Sequence, residues 1–291
     1  MIKAQVLKIL KGNITAYDGK ELYICDSPGK YKNKESDNKL KVGDFVQLKN
    51  NEFAKDRYII EKIFKRKNSL IRPSISNLEQ LVIVISPLPK PDLNLVDALI
   101  IYCMQNSIKP LLVINKSDIA KNDFINEILF QYDKVVEDIL VISALMDKNI
   151  DKLKIKLSGV LSAFAGQSAV GKSSIINALS NELNLEVQQL SKKINRGKHT
   201  TRTTEIYILD DMKIADTPGF SMLDLCVEQY DIKNYYTDFI EYAKNCKYRG
   251  CNHVNMKSKD CGVVEAVESG VLSEDRYNRY LRFFKKGEKI W

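Results

Sequence analysis

The sequence predicts a multi-domain protein with an N-terminal all-β barrel, a central α/β unit and a C-terminal, mainly α, metal-binding unit. Three observations carry this prediction. Short β-type segments fill roughly the first 65 residues, apolar strands alternate with helical segments from about residue 80, and three of the six cysteines lie between 246 and 261 beside a histidine. The predicted boundaries are 1–70, 75–225 and 226–291.

The N-terminal segments QVLKIL, NITAY, ELYICD, DFVQLK and YIIEKIF are separated by turn sequences such as DGK, SPGK and VGD. Five short strands in so small a unit favour a closed barrel of the OB-fold type. The lysine-rich stretch 29–41 is predicted to be a mobile loop on this barrel. The sequence KRKNSLIRPS, 65–74, is predicted to be a basic linker.

Charge is segregated along the chain. Residues 1–75 contain 17 Lys and Arg against 9 Asp and Glu, which accounts for the whole net charge of +8. This excess favours nucleic-acid binding by the first unit, although a lysine-rich codon usage would leave the same bias. Neither a secretory signal nor an apolar stretch of membrane-spanning length is seen, so we expect a cytoplasmic protein with no membrane association.

In the central unit, the strands LVIVIS, PLLVIN, DILVISA and LSAFAG alternate with helical segments. Continuous apolar strands of this kind are typical of a parallel sheet that is covered on both faces. Ligands of such sheets bind at the carboxyl ends of the strands. The motifs described next lie at these ends.

The sequence GQSAVGKS, 166–173, fits the phosphate-loop pattern G-x-x-x-x-G-K-[ST] and lies between a predicted strand and a predicted helix. Its backbone N–H groups would surround phosphate oxygens, Lys172 would reach the terminal phosphates, and Ser173 would bind Mg²⁺. The predicted phosphate-binding residues are Gly166, Gln167, Ser168, Ala169, Val170, Gly171, Lys172, Ser173 and Ser174.

The sequence NKSD, 115–118, follows a predicted strand and has the chemistry of guanine selection. The Asp118 carboxylate can accept hydrogen bonds from the ring N–H and the exocyclic amine of guanine, a pair that adenine does not present. Asn115 and Lys116 would support the base. Ser143 and Ala144, after the next strand, would add a backbone contact. These features predict GTP and GDP as ligands.

Two further motifs complete a nucleotide site. In DTPG, 216–219, Asp216 would hold Mg²⁺ through water and the Gly219 N–H would sense the γ-phosphate. In GKHTTR, 197–202, either Thr200 or Thr201 would complete the Mg²⁺ shell, and Thr201 is favoured. The base-reading motif precedes the phosphate loop, which indicates a circularly permuted GTPase domain. DTPG then joins the C-terminal unit directly, so the γ-phosphate could pull on that unit through a short covalent link.

The spacing C-x4-C-x-H-x7-C places Cys246, Cys251, His253 and Cys261 as four ligands for one structural Zn²⁺. All four positions are protein ligands, so no open site for a reactive water is expected. The Tyr277, Tyr280 and Phe284 stripe of the last predicted helix, with Ser273 as its N-cap, is expected to be core.

The chain resembles the RsgA family of circularly permuted, small-ribosomal-subunit-dependent GTPases. The resemblance rests on VGD, RKNSLIRP, the permuted nucleotide motifs, CKYRGCNH and CGVVEAVESG. It implies an OB-fold that contacts 16S rRNA, GTP hydrolysis stimulated by the 30S subunit, and a role late in small-subunit maturation. In the family pattern, five residues separate the histidine from the last cysteine. This chain has seven, 254–260, which leaves the conformation of that loop open.

Catalysis cannot use the glutamine of Ras-like enzymes, because Phe220 follows DTPG. His199 is the nearest polar candidate for orienting the water, and the resemblance favours it over a merely solvated switch histidine; Lys172 and Thr201 would complete the catalytic set. Two other functions stay open: an RNA-assembly scaffold with little turnover, and a GTPase acting on another RNA. A monomer is expected.

Overall fold

The structure, a computed structural model, describes residues 1–10, 13–28, 39–52, 54, 56–180, 204–217, 220 and 225–286. Two predicted features lie wholly or mostly outside these ranges. They are GKHTTR, with His199, Thr200 and Thr201, and most of the lysine-rich stretch 29–41. Gly219 lies outside them as well.

The N-terminal unit is a closed five-stranded barrel, and all five predicted strands are confirmed. The strands are β1 (Ile2–Leu10), β2 (Asn13–Tyr17), β3 (Leu22–Asp26), β4 (Phe45–Asn50) and β5 (Tyr58–Ile63). They follow the order β2-β3-β5-β4-β1, and β1 pairs with β2 to close the barrel. Alternate residues such as Val6, Val46 and Ile60 fill the interior because successive side chains point to opposite faces.

The segment predicted as a basic linker packs closely against the barrel. Arg66 Nε lies 2.6 Å from Asp44 Oδ1, the Asp44 side chain is fully buried, and Leu70 is buried as well. Asn68 Nδ2 donates to the Leu78 carbonyl at 2.7 Å, and the Leu78 N–H donates to Asn68 Oδ1. Part of the N-terminal positive charge is therefore used inside the protein.

The central unit has the alternating strands and helices that were predicted. Its strands are β6 (Gln80–Ile85), β7 (Lys109–Ile114), β8 (Ile139–Val141), β9 (Leu161–Ala165), β10 (Glu205–Leu209) and β11 (Met212–Asp216). Its helices are α1 (Leu93–Gln105), α2 (Asn122–Tyr132), α3 (Ile150–Leu157) and α4 (Lys172–Leu179).

The central strands follow the order β10-β11-β9-β6-β7-β8, in which β11, β9, β6, β7 and β8 are parallel. Strand β10, which the sequence analysis did not predict, runs antiparallel to β11 and joins the barrel through the Lys8–Glu205 register with β1. Lys8 Nζ lies 2.5 Å from Glu205 Oε1 at this junction. The barrel and the central sheet are thus continuous in hydrogen bonding.

The C-terminal unit is helical, as predicted, and its first part consists of short segments. Two 3₁₀ segments, Gln229–Tyr235 and Thr237–Phe239, precede the single α-turn α5 (Ile240–Ala243). Helices α6 (Gly262–Glu268) and α7 (Glu274–Lys286) follow, with a 3₁₀ turn at Ser258–Asp260. Ser273 Oγ accepts from the Arg276 N–H, which confirms it as the N-cap of α7. No helix in the described ranges is long and apolar enough to cross a bilayer.

Candidate functional site

The loop after β9 has the backbone of a phosphate loop, and two glycines make it possible. Gly166 has φ +130°, and a Cβ there would lie 2.2 Å from the Val84 carbonyl oxygen on the neighbouring strand. Gly171 has φ +94°, and a Cβ there would lie 2.3 Å from Asn115 Nδ2. Any larger residue would therefore push the loop off the strand or displace the asparagine.

Lys172 is folded back into this loop. Its Nζ donates to the Gly166 carbonyl at 2.8 Å and to the Gln167 carbonyl at 2.6 Å. Burial lowers the pKa of Lys172, because the ammonium is partly removed from water. The loop thus presents a desolvated positive charge to any anion that enters it.

Helix α4 begins directly at Lys172, with Gly171 as its N-cap and no side chain capping the first turn. Ser173 and Ser174 lie in that turn, and their N–H groups have no helical acceptor. Val170 is fully buried beneath the loop, whereas Ser168 and Ala169 are exposed at its tip. This is the arrangement that favours a phosphate at a helix start.

Asn115 connects three motifs that are distant in sequence. Its side chain is 2% exposed, its Nδ2 donates to the Val170 carbonyl at 3.0 Å, and its Oδ1 accepts from the Ala144 N–H at 3.1 Å. Lys116 adds a second connection, since its Nζ donates to the Leu88 and Ala169 carbonyls, both at 2.7 Å. The structure therefore brings NKSD, Ser143–Ala144 and the phosphate loop into one pocket.

Asp118 lies exposed at the rim of this pocket. The hydroxyl of Ser143, which is fully buried, donates to Asp118 Oδ1 at 2.5 Å. Ser143 Oγ in turn accepts from the Met146 N–H at 3.2 Å. The carboxylate is thereby held in one orientation and keeps Oδ2 available to a ligand.

Asp216 is the last residue of β11, which runs parallel to β9. The DTPG motif therefore begins at the same edge of the sheet from which the phosphate loop leaves. Phe220 is buried and packs edge-on against Tyr102 of α1, with ring centroids 6.3 Å apart. Its side chain lies in the core, and a phenyl ring has no polar atom with which to orient a water.

Cys246, Cys251, His253 and Cys261 form a compact cluster that could hold a metal ion, with all four candidate ligand atoms within 4.8 Å of one another. The Sγ–Sγ distances are 3.7 Å for Cys246–Cys261 and 3.9 Å for Cys251–Cys261. His253 Nδ1 lies 3.6 Å from Cys246 Sγ and 3.4 Å from Cys261 Sγ. Tetrahedral zinc with bonds of about 2.3 Å to sulfur requires sulfurs about 3.8 Å apart, so the four residues fit Zn²⁺.

The last helix holds the backbone of this cluster in place. His253 has φ +58°, and its carbonyl accepts from the Tyr277 hydroxyl at 2.5 Å. The neighbouring Asn252 carbonyl accepts from the Tyr280 hydroxyl, also at 2.5 Å. Tyr280 is fully buried, and Tyr277 and Phe284 pack against the same core, which confirms the predicted apolar stripe.

A buried charge network between α1 and α7 was not predicted from the sequence. Asp97 Oδ1 lies 2.7 Å from an Arg276 guanidinium nitrogen, and Asp97 Oδ2 lies 2.7 Å from Arg279 Nε. Arg276 also pairs with Asp238 at 2.8 Å. Burial opposes the charge on Arg276, but the two carboxylates outweigh it and raise the pKa of this guanidinium. The available signal was a lone acidic residue in the apolar stretch LVDALIIYC, and it is weak without the structure.

Comparisons with known proteins agree with this architecture. A family model described as RsgA GTPase matches residues 63–226. Proteins named small ribosomal subunit biogenesis GTPase RsgA match along nearly their whole length. The one from Caldanaerobacter subterraneus is 35% identical over 98% of this chain and 95% of its own, and the one from Alkaliphilus metalliredigens is 33% identical over 99% of both.

Two solved structures are similar over most of the chain. The crystal structure of YjeQ from Thermotoga maritima has a TM-score of 0.80 at 30% identity and covers 98% of both chains. The structure of YloQ, described as a circularly permuted GTPase, has a TM-score of 0.78 at 26% identity and covers 98% of this chain and 94% of its own.

Proposed function

The chain belongs to the RsgA GTPase family, and on that premise we propose that it hydrolyses GTP in late maturation of the small ribosomal subunit. Nucleotide state would control its binding to, and release from, the 30S subunit. The observation that carries the proposal is the position of Asn115, which is bonded to both the phosphate loop and Ala144. The predicted boundaries of the three units stay a working division of the chain.

Guanine would be selected by Asp118. With Oδ1 held by Ser143, the carboxylate is oriented to accept from the two adjacent donors of guanine. An adenine base would present an acceptor at the ring position and leave the carboxylate unpaired. A site that hydrogen-bonds a specific ligand group strongly rejects analogues that lack this group.

The phosphates would lie in the loop 166–173, on the free N–H groups of α4 and against Lys172. Mg²⁺, when bound, would neutralise the charge that develops between the β- and γ-phosphates. Ser173, Thr201 and Asp216 are the proposed residues of its shell, and Gly219 the sensor of the γ-phosphate. We assign the orientation of the water to His199, because the buried Phe220 offers no polar group.

The role of the Cys246–Cys251–His253–Cys261 cluster is proposed to be structural. Four protein ligands fill a tetrahedral shell, and the unit around them has few long helices with which to stabilise itself. Zinc, when bound, would fix the turn that carries His253.

RNA contact is proposed for two surfaces. On the barrel exterior, Lys3 Nζ lies 5.3 Å from the ring centroids of both Phe45 and Phe64, a lysine and aromatic combination suited to phosphates and bases. Beside the metal cluster, a cleft of about 570 Å³ is lined by cationic residues that include Lys244 and Arg249, by the half-exposed Tyr248, and by no acidic side chain. The cationic and aromatic side chains of both surfaces favour RNA, and we propose 16S rRNA as the partner and a cytoplasmic monomer as the acting form.

The test is GTP hydrolysis by purified protein with and without small ribosomal subunits, together with competition of GTP binding by ATP. We expect tight GTP and GDP binding, weak competition by ATP, and slow turnover that the subunits accelerate. Comparable binding of GTP and ATP would contradict the site. Stoichiometric binding without stimulated turnover would indicate a scaffold, and sedimentation preferentially with large subunits or tRNA would indicate another RNA target.

A further inference from the structure

Helix α1 is fixed to the phosphate loop at its start. The backbone N–H of Asp92, the N-cap residue of α1, donates to Gln167 Oε1 at 2.8 Å. The Asp92 carboxylate in turn accepts from the N–H of Asn94 at 3.0 Å, which caps the first turn. A displacement of the loop around bound phosphates would therefore be felt directly by the first turn of α1.

At its other end, α1 contacts the chain that follows DTPG. The Tyr102 ring packs edge-on against Phe220, and Gln105 Nε2 donates to the Cys226 carbonyl at 3.0 Å. The segment that would rearrange with the γ-phosphate thus touches α1 at two points about one turn of helix apart.

Between these two ends, α1 holds the C-terminal unit through Asp97, which is 2% exposed. Its carboxylate is bonded to Arg276 and Arg279 of α7 and to the Tyr132 hydroxyl at 2.7 Å. With Asp238, the network contains two carboxylates and two guanidiniums, so its charges balance. Because all four charged groups are paired, a change of register between α1 and α7 would leave buried charges unpaired.

We propose that α1 couples the nucleotide pocket to the C-terminal unit, and that Asp97 is the positioning residue of this coupling. This inference rests on the proposed function, since it concerns how nucleotide state alters RNA binding. Packed helices move as rigid bodies with discrete arrangements, so a shift of α1 would carry α7 and the metal cluster with it. The C-terminal unit is attached to the pocket by this contact in addition to the covalent link after DTPG.

The experiment compares full-length, zinc-loaded wild type with Asp97→Asn and with Asp151→Asn, a matched change at an exposed position of α3. Affinity for small ribosomal subunits is measured by sedimentation with a non-hydrolysable GTP analogue and with GDP, and nucleotide affinity is measured separately with fluorescent analogues. We expect the ratio of the two subunit affinities to fall by about five-fold or more in Asp97→Asn. Nucleotide affinity should change less than about two-fold, and Asp151→Asn should match the wild type in both measurements.

A purely structural role of Asp97 would lower stability and subunit binding in both nucleotide states equally, and would leave the ratio unchanged. Should Asp97→Asn lose its zinc or its folded circular-dichroism spectrum, Gln105→Ala replaces it, because that change removes one contact at an exposed residue and leaves the buried charges alone. An unchanged ratio in a folded variant overturns the coupling, as does a wild type that binds GTP without any dependence of subunit affinity on nucleotide. Failure of the wild type to bind GTP overturns the proposed function itself.

Discussion

Replacing Gly171 with alanine is expected to damage both the stability of the fold and the binding of nucleotide. The added Cβ would lie 2.3 Å from Asn115 Nδ2, well inside van der Waals contact, at a residue whose φ is +94°. Asn115 is buried and cannot move away without disturbing its bonds to the Val170 carbonyl and the Ala144 N–H.

The expected decrease in the free energy of unfolding of Gly171→Ala has two parts. Holding a non-glycine residue in a left-handed conformation costs about 1–2 kcal/mol. Two hydrogen bonds of the displaced asparagine are worth about 0.5–1.5 kcal/mol each. The free energy of unfolding should therefore decrease by about 2–5 kcal/mol, a large share of the stability of a typical domain.

Gly159→Ala is the matched control. Gly159 has φ +69° in the same unit, and nothing lies within 4 Å of a Cβ added there, so this variant carries only the conformational cost. Urea unfolding of both variants, followed by circular dichroism, should place Gly171→Ala about 1–3 kcal/mol below Gly159→Ala. GTP affinity should decrease about ten-fold or more only in Gly171→Ala, since about 1.4 kcal/mol corresponds to a factor of ten. Equal unfolding midpoints and equal GTP affinities for the two variants would refute the steric argument.

Four further outcomes are expected. Asp118→Asn should weaken GTP binding by about 2–3 kcal/mol in a nucleotide competition assay, and improve binding of xanthosine triphosphate, whose ring carbonyl can accept from the new amide. Cys261→Ser should lower zinc content and expose 225–286 to limited proteolysis, while GTP affinity stays within about two-fold; retention of one zinc per chain would contradict the ligand assignment. Asp97→Asn should decrease the free energy of unfolding by about 3–5 kcal/mol, because the buried Arg279 then loses the carboxylate with which it pairs while Arg276 keeps Asp238, and a loss below about 1 kcal/mol in urea would argue against the network. His199→Ala should preserve GTP binding and largely abolish subunit-stimulated hydrolysis, and unchanged turnover would remove His199 from that role.

Local patterns predicted much of the fold, because the barrel strands and the parallel strands carry their information in adjacent residues. The five barrel segments are short, contain β-branched residues such as Val6, Val46 and Ile60, and are bounded by turn sequences, so their type is visible in the sequence. Strand β10 was missed although EIYIL, 205–209, is rich in β-forming residues and a two-residue turn joins it to β11; its pairing with β1 is the part that the sequence does not indicate. Pairing with a strand almost 200 residues away leaves no local signal.

The same distinction separates the predicted and missed parts of the site. The pocket motifs have fixed internal spacings, and the four metal ligands lie within sixteen consecutive residues, 246–261, so both could be recognised from sequence. Asp97 lies 179 residues from Arg276 and 182 residues from Arg279, and no fixed spacing connects it with them. A charged residue in a predicted helix is expected to be exposed. Only the fold shows that Asp97, Arg276 and Arg279 are buried together.

The β10–β11 hairpin gives the permuted order a physical consequence. In the chain, the threonine motif precedes β10 and DTPG begins at the end of β11, so the two segments proposed to sense the nucleotide adjoin the start and the end of one hairpin. The barrel pairs with β10 at Lys8 and Glu205, and the C-terminal unit follows β11 in the chain.

In a chain with the usual order, the hairpin would be internal to the domain and its second strand would lead into further strands of the same sheet. Permutation instead leaves β11 as the last strand, so both added units are attached where the γ-phosphate would act. A chain connection alone fixes no orientation, so the coupling that we propose depends on a rigid contact, and the buried pairing of Asp97 with Arg276 and Arg279 supplies it.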